Sequence, residues 1–148
     1  MKKNNLFTKV LRSTTTSSLS TGILILRLTI GILLFMAGSG KALAWFGGYG
    51  AEKSLQFYNQ MGFSTFLGYL SIYTEFIGGL LLVIGLFTRF AAFAVTINMA
   101  VATIVSLPHG FMGPSGAQTP FIFLMCAIVI LITGPMVYSI DYVMINGD

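Results

Sequence analysis

Three ionisable residues fall inside long apolar stretches of the chain, which makes them the first candidates for chemistry. Arg27 and Lys41 belong to the first stretch, roughly residues 22–44, and Glu75 lies in the middle of the second, roughly 67–87. An unpaired charge at the centre of a bilayer costs at least about 2.5–3.5 kcal/mol, so such residues are paired, hydrated or functional. We interpret Glu75 as a ligand-binding or proton-coupling carboxylate. The alternative is that it forms a purely structural ion pair.

The spacing of these residues places them on two helical stripes. Positions 27, 31, 34, 38 and 41 alternate between steps of four and three, and so do positions 68, 71, 75, 78, 82, 85 and 89. Such steps keep side chains on one face of an α-helix. Small residues on these stripes let helices approach closely in lipid. We therefore predict helix contacts at four glycines: Gly31, Gly38, Gly78 and Gly85.

The depth of Glu75 leaves its partner open. At a rise of about 1.5 Å per residue, Glu75 lies near mid-membrane and roughly 10 Å along the helix axis from both Arg27 and Lys41. A long cationic arm with one bridging water would span that distance, so either cation is a candidate partner.

Two further polar residues share one face of the third apolar stretch, roughly residues 90–107. Asn98 and His109 are linked by steps of four, three and four residues through positions 102 and 105. Asn98 is predicted to lie deep in the membrane and His109 at the outer end of the third span. Both are added to Glu75, Arg27 and Lys41 as candidates for ligand binding or proton coupling. The alternative for His109 is an imidazole at a loop end, beside Pro108 and Gly110.

The composition indicates a membrane protein. Of 148 residues, 55% are apolar and 8% are charged, against about 45–50% and about 25% in soluble domains. The chain has one cysteine, Cys126, and one histidine. By itself it therefore lacks the ligands for a zinc site, an iron–sulfur cluster or a bis-histidine haem. Any redox cofactor would be held non-covalently or by a partner, and Cys126 is interpreted as a small apolar filler.

The apolar stretches predict four membrane spans, since each span needs about 20 residues. They cover roughly residues 22–44, 67–87, 90–107 and 119–138, with Thr21 as N-cap of the first and a tight turn between the second and third. The predicted fold is all-α: an integral membrane antiparallel four-helix bundle. A short interfacial helix is expected in the first outer loop, residues 45–66.

The basic residues predict the orientation. Lys2, Lys3, Lys9, Arg12 and Arg89 would share one side, which places both termini in the cytoplasm by the positive-inside rule. The net charge of +4 therefore reflects topology and does not indicate nucleic-acid binding. Residues 1–21 are predicted to form a cytoplasmic tail, with a short interfacial helix before a linker over 13–21. Residues 22–148 form one membrane domain.

The N-terminal region also mimics a secretory signal peptide, because residues 42–44 read Ala-Leu-Ala after an apolar run. The basic leader is long and Arg27 interrupts the run, both of which argue against cleavage. We expect the segment to remain uncleaved.

Several motifs together resemble the DoxX family over nearly the whole chain. They are Arg27-x3-Gly31 with the later Gly38 and Lys41, the run from Glu75 to Arg89, His109-Gly110-Phe111, and Gly134-Pro135-x2-Tyr138-Ser139-x-Asp141. The family tail often has Gly-Arg where this chain has Met136 and Val137. The family also often has an acidic residue where this chain has Gln118.

The resemblance implies a four-helix protein of the bacterial inner membrane, with a link to quinone-coupled thiol or sulfur oxidation. The first hypothesis is a quinone-linked subunit of a membrane redox system that binds a quinone non-covalently and works with other membrane subunits. The second is a non-catalytic accessory subunit that packs against a larger complex. The third is a small transporter or lipid-binding protein. Whether the chain is itself an enzyme stays open.

The predicted orientation can be tested by cysteine accessibility. A thiol placed at Ser54, in the loop predicted to lie outside, should react with a membrane-impermeant reagent in intact cells. A thiol placed at Ser17 should react only after the cells are opened. The reverse labelling pattern would contradict both the orientation and the depths estimated above.

Overall fold

A computed structural model describes residues 16–146, which form helices joined by short connections and contain no β-strand. In chain order the helices are α1 Thr16–Leu43, α2 Gly50–Gln60, α3 Thr65–Ile84, α4 Thr88–Ser106, α5 Gln118–Thr133 and α6 Ile140–Asn146. Single 3₁₀ turns follow α1 and α4, at Trp45–Gly47 and Leu107–His109. The prediction of an all-helical chain is confirmed for these residues.

Within residues 16–146, three segments are long and apolar enough to cross a membrane: Ser18–Leu43, Thr65–Ile84 and Thr88–His109. α5 is also apolar but has 16 residues, fewer than the ~20 of a typical span. The predicted fourth span, 119–138, extends past the observed helix. α5 ends at Thr133 because Gly134 takes a left-handed φ of 75° and the following Pro135 lacks an amide hydrogen.

The start of the first helix differs from the prediction. α1 begins at Thr16, so Thr21 lies inside the helix and is not its N-cap, and the predicted linker is helical from residue 16 onward. Ser20 and Ile23 are both buried, and this packing outweighs the weak helix propensity of the serines and threonines. The short interfacial helix predicted before residue 13, with its basic residues, lies outside the described residues.

Backbones of α1 and α3 approach each other closely at glycines. A Cβ added at Gly38 would overlap backbone atoms of Phe76 and Glu75. One added at Gly31 would lie 2.9 Å from Cγ2 of Val83 and 3.0 Å from the Gly79 carbonyl oxygen. These two positions therefore lie against α3, as small residues at membrane helix contacts do.

The other two glycines lie elsewhere. Gly78 lies against Val95 of α4, at 3.1 Å from an added Cβ, while its neighbour Gly79 lies against the backbone of α1. Adjacent residues on a helix point about 100° apart, so a shift of one position exchanges the partner helix. Gly85 follows the last residue of α3 and ends that helix with a φ of 71°.

The apolar core forms where α1, α3, α4 and α5 meet. Apart from Met99, its side chains are small or branched, which lets the four helices pack tightly. Its buried members are Ile30, Leu34, Leu82, Ala91, Ala92, Val95, Met99, Ala127 and Ile130.

α2 covers one end of this assembly, in the loop where a short helix is predicted, and contacts both α1 and α3. Its apolar face buries Leu55, whose side chain lies over Gly68. Ser54 is also buried and donates a hydrogen bond to the Gly50 carbonyl at 2.7 Å. Gln56, which is exposed, is therefore a better labelling position than Ser54 for the orientation test.

The close approach of α1 and α3 predicts opposite effects for two Gly→Ala substitutions in α1. Gly38→Ala should lower the unfolding free energy by about 3 kcal/mol, because the methyl group forces two backbones apart. Gly22 has open space around it, so Gly22→Ala should be neutral or slightly stabilising. Thermal unfolding of the detergent-purified variants checks this. Equal melting temperatures would contradict the contact.

Candidate functional site

A cavity of about 800 Å³ extends along α3 and α4 and is covered at one end by α2 and the loop that precedes α5. Four of the five polar candidates from the sequence line it: Lys41, Glu75, Asn98 and His109. Arg27 does not. The fold therefore brings together residues from α1, α3 and α4 that lie far apart in the sequence.

Lys41 and Glu75 form a direct ion pair on the cavity wall. The Lys41 Nζ lies 2.7 Å from each carboxylate oxygen of Glu75. The Glu75 side chain is 6% exposed and the Lys41 side chain 36%, so the carboxylate is enclosed while the Lys41 side chain is only partly buried. The Lys41 ammonium therefore reaches the carboxylate directly, without the bridging water expected from the sequence.

Additional polar groups surround the ion pair. The Tyr58 hydroxyl from α2 lies 3.1 Å from Oγ of Ser71 and also interacts with the Lys41 ammonium. Asn98 donates its amide to the Ser71 carbonyl across the gap between α4 and α3, at 3.4 Å. One end of the cavity therefore presents a cation, a carboxylate, hydroxyls and an amide.

Sequence reasoning missed Ser71 and Tyr58 as site residues, although each carried a signal. Ser71 lies one turn before Glu75 on the polar stripe of α3. Tyr58 lies at helical spacing from Leu55 on the apolar face of α2, and that face turns inward.

His109 lies in the 3₁₀ turn after α4 and lines the cavity. It is exposed, at the far end of α4 from the α3–α4 turn. The structure thus places it at a helix end, where the sequence predicts it. Its role in ligand binding stays a prediction.

The rest of the cavity wall is mostly apolar and aromatic. Side chains from α2, α3, α4 and the connection between α2 and α3 contribute to it, among them Phe57, Met61, Phe63, Leu70, Phe93 and Ile97. Small-molecule sites are clefts of about 300–1,000 Å³ with apolar walls and a few polar groups that orient the ligand. This cavity has that size and composition. Among residues 16–146, no three His, Cys, Asp or Glu side chains lie together as metal ligands would.

Arg27 has a different partner from the one predicted. Its side chain is buried and donates to the carbonyl of Pro135 at 2.9 Å and to the carbonyl of Tyr138. These carbonyls are free to accept because Gly134 and Pro135 end α5, and the chain then folds back beneath the α3–α4 turn. Arg27 therefore fixes the C-terminal segment, and the expectation that it faces Glu75 is wrong.

Asp141 holds the start of α4 through backbone hydrogen bonds. Its carboxylate accepts the backbone amides of Phe87 at 2.7 Å and Thr88 at 2.8 Å. These amides belong to the first turn of α4, which has no hydrogen-bonding cap from its own N-cap residue. Asp141 thus satisfies donors that a helix start leaves unpaired. The side chain of Arg89 lies against Gly134.

The motif Gly134-Pro135-x2-Tyr138-Ser139-x-Asp141, here called the tail motif, is also explained by its backbone conformation. Met136 adopts a φ of 55°, a left-handed conformation that glycine takes without strain. This is the position where the related tail pattern often has glycine. The Asp141 amide also donates to the Gly85 carbonyl at 3.0 Å. The motif therefore describes a segment docked onto the α3–α4 turn, and none of its contacts described above reaches the cavity.

The surroundings of Asp141 change its pKa. Partial burial raises the pKa of its carboxyl. The hydrogen bonds from Thr88 and Phe87 and the charge of Arg27 together lower the pKa by more than burial raises it, so it lies below its ordinary value.

These features define a helical membrane protein with a ligand-sized cavity whose polar end holds a lysine–glutamate ion pair. The DoxX family profile matches residues 22–107. The chain is also 33% identical over 132 residues to the Bacillus subtilis protein named "Putative oxidoreductase CatD", covering 88% of this chain and 92% of that protein. The chain belongs to the DoxX family. No solved structure gives a significant match.

The contacts of Asp141 predict a pH-dependent stability difference. Asp141→Asn should lower the unfolding free energy by about 1 kcal/mol near pH 7, because the amide offers one acceptor oxygen to two backbone N–H groups and a hydrogen bond contributes about that much. Because the pKa of Asp141 is lowered in the folded protein, the ionised carboxylate stabilises the fold above the unfolded value of about 3.9. That contribution is lost as the pH falls through the lower folded value.

Thermal unfolding of wild type and Asp141→Asn from pH 7 down to pH 3 checks this expectation. The gap between the two melting temperatures should narrow below about pH 4. Glu52→Gln, which changes an exposed glutamate in the first turn of α2, is the matched control and should have little effect. A gap that stays constant over the whole range would contradict the assigned role of Asp141.

Proposed function

We propose that this DoxX protein spans the bacterial inner membrane four times, with both termini in the cytoplasm, and binds the head group of a quinone in the cavity described above. In this role it is a quinone-linked subunit of a membrane redox system for thiol or sulfur oxidation. α5 serves as the fourth span despite its 16 residues, since a bilayer thins locally around a short helix at modest cost.

The observation that carries the proposal is the position of the Lys41–Glu75 pair in the wall of a mostly apolar cavity. Quinone carbonyls accept hydrogen bonds, and the Lys41 ammonium and the Asn98 amide can donate them. Quinol hydroxyls donate, and the Glu75 carboxylate can accept. A donor and an acceptor side by side therefore suit both redox forms of the ring.

A bound quinone would supply two-electron, two-proton chemistry at this site, with the electrons exchanged through a partner subunit. Glu75 would accept or release a proton at a carboxylate oxygen, and Lys41 would stabilise the ionised form of that carboxylate. Tyr58 and Ser71 would hold the surrounding polar groups in place. The oxidoreductase name of the Bacillus subtilis relative supports a redox role and does not identify the substrate.

The pair predicts that ligand retention and folding separate in variants of Glu75. Glu75→Gln should lower the quinone content of the purified protein at least about tenfold, because a hydrogen bond to a charged group contributes about 1.5–3 kcal/mol. Its melting temperature should change little, since the Lys41 side chain left behind is only partly buried. Solvent extraction and chromatography give the quinone content per folded protein.

Two further variants keep this test decisive. Lys41→Gln combined with Glu75→Gln removes both charges, so the uncompensated buried cation that destabilises a broken pair does not arise. This double variant should fold and also lose quinone. Glu52→Gln should retain quinone like wild type. A large fall in melting temperature for Glu75→Gln, with quinone content per folded protein unchanged, would refute the proposal and favour an accessory subunit locked together by the ion pair.

A further inference from the structure

A second, smaller cavity of about 220 Å³ adjoins the first along the same two helices. It is formed by the parts of α3 and α4 that lie nearer their connecting turn. The two cavities share four lining residues: Leu70, Thr74, Phe90 and Ala94. The two cavities therefore adjoin along the α3–α4 seam, with the smaller one farther from the Lys41–Glu75 pair, and together they are called the α3–α4 cleft.

The chemistry of this cleft changes along its length. The charged pair, Ser71 and Asn98 belong to the larger cavity alone. Beyond the shared residues, the wall is formed mainly by Ile77, Leu81 and Ala91, with the ring of Tyr73 at its edge. A molecule that fills the whole cleft must therefore have a polar head and an apolar extension.

The cleft is also open sideways, on the surface that faces lipid in a membrane protein. Phe90 is 71% exposed and Phe93 is 52% exposed, although both line the larger cavity. An apolar chain could pass between the bilayer and the cleft without crossing water. Its burial would add favourable apolar contact area without any further polar group.

Because the two cavities adjoin and the cleft is open towards the bilayer, we infer that the site takes a prenylated quinone from within the bilayer. The isoprenoid chain then lies in the α3–α4 cleft beside Ala94 and Thr74. This inference rests on the proposed function and names the ligand class of the same site. Ala94 and Thr74 act as specificity residues for the chain, whereas Lys41 and Glu75 act on the head group. Chain length should therefore contribute to affinity separately from the ion pair.

The test compares quinones that share one head group and differ in the chain. The probes are 2-methyl-1,4-naphthoquinone, which has no chain, and its analogues with two and four isoprenoid units. Each competes with a photoreactive azidoquinone for crosslinking to the full-length protein in nanodiscs. Affinities are compared at equal measured concentrations within the bilayer, so differences in partitioning cancel.

In wild type, affinity should rise at least tenfold from the chainless probe to the longest one. Ala94→Phe fills the junction of the two cavities and should abolish that rise, so that all three probes bind this variant with similar affinity. Ala37→Phe makes the same change at an exposed position of α1 outside both cavities and should behave like wild type. Thr74→Phe repeats the test from the α3 wall in case Ala94→Phe does not fold.

The outcomes separate the two proposals. Affinity that is independent of chain length, or an Ala94→Phe variant that weakens all probes equally, would overturn the placement of the chain and leave quinone binding intact. Failure of wild type to bind any of the probes would overturn the proposed function and this inference together. Crosslinking that only an added phospholipid displaces would do the same and would identify the cleft as a lipid site.

Discussion

The close approach of α1 and α3 at Gly38 is the constraint on which the site depends. An added Cβ at this position would overlap backbone atoms of both Glu75 and Phe76, so the two helices are nearly in backbone contact there. Lys41 follows three residues later on the same face of α1, which brings its ammonium to the Glu75 carboxylate. A larger side chain at position 38 would separate the helices and break the ion pair. The glycine is thus a requirement of the site's electrostatics as well as of packing.

Much of this arrangement is predictable from the sequence because it depends on local periodicity. The stripe through Arg27, Gly38 and Lys41 correctly assigns a protein-facing side to α1, and the apolar stretches locate three helices that could span a membrane. Glu75 is recognisable as the carboxylate of interest from its position alone. These features follow from helical repeat and from the cost of charge in lipid, and both can be read within a single segment.

The remaining features depend on contacts between distant segments, which periodicity does not specify. Arg27 and Lys41 were equivalent partners for Glu75 on helix geometry. The choice between them is made by the C-terminal segment, whose carbonyls at Pro135 and Tyr138 bind Arg27. Gly79 lies at the α1 contact where Gly78 was predicted. This difference corresponds to a rotation of α3 about its axis by one residue, and periodicity within α3 alone cannot define the rotation to within one residue. The cavity itself arises only when α2 and the loop before α5 are in place.

The molecule therefore has two ends with different roles. One end gathers polar groups around an enclosed carboxylate beside apolar walls. The other end is tied together by Arg27, Gly85 and the docked tail motif. The tail motif lies at the second end, away from the ion pair. It therefore reflects the architecture that the family shares more directly than any chemistry at the cavity.

The contact of Asp141 with α4 has a consequence for biosynthesis. The amides of Phe87 and Thr88 emerge from the ribosome more than fifty residues before the carboxylate that accepts them. During synthesis the first turn of α4 therefore lacks its protein acceptor. Until Asp141 is in place, water or lipid head groups at the membrane boundary can accept hydrogen bonds from these amides. That first turn is closed by the protein only when the segment around Asp141 has been made and docks. Synthesis of that later segment is thus coupled to completion of an internal helix, and a chain interrupted before Asp141 would keep that helix start open to solvent.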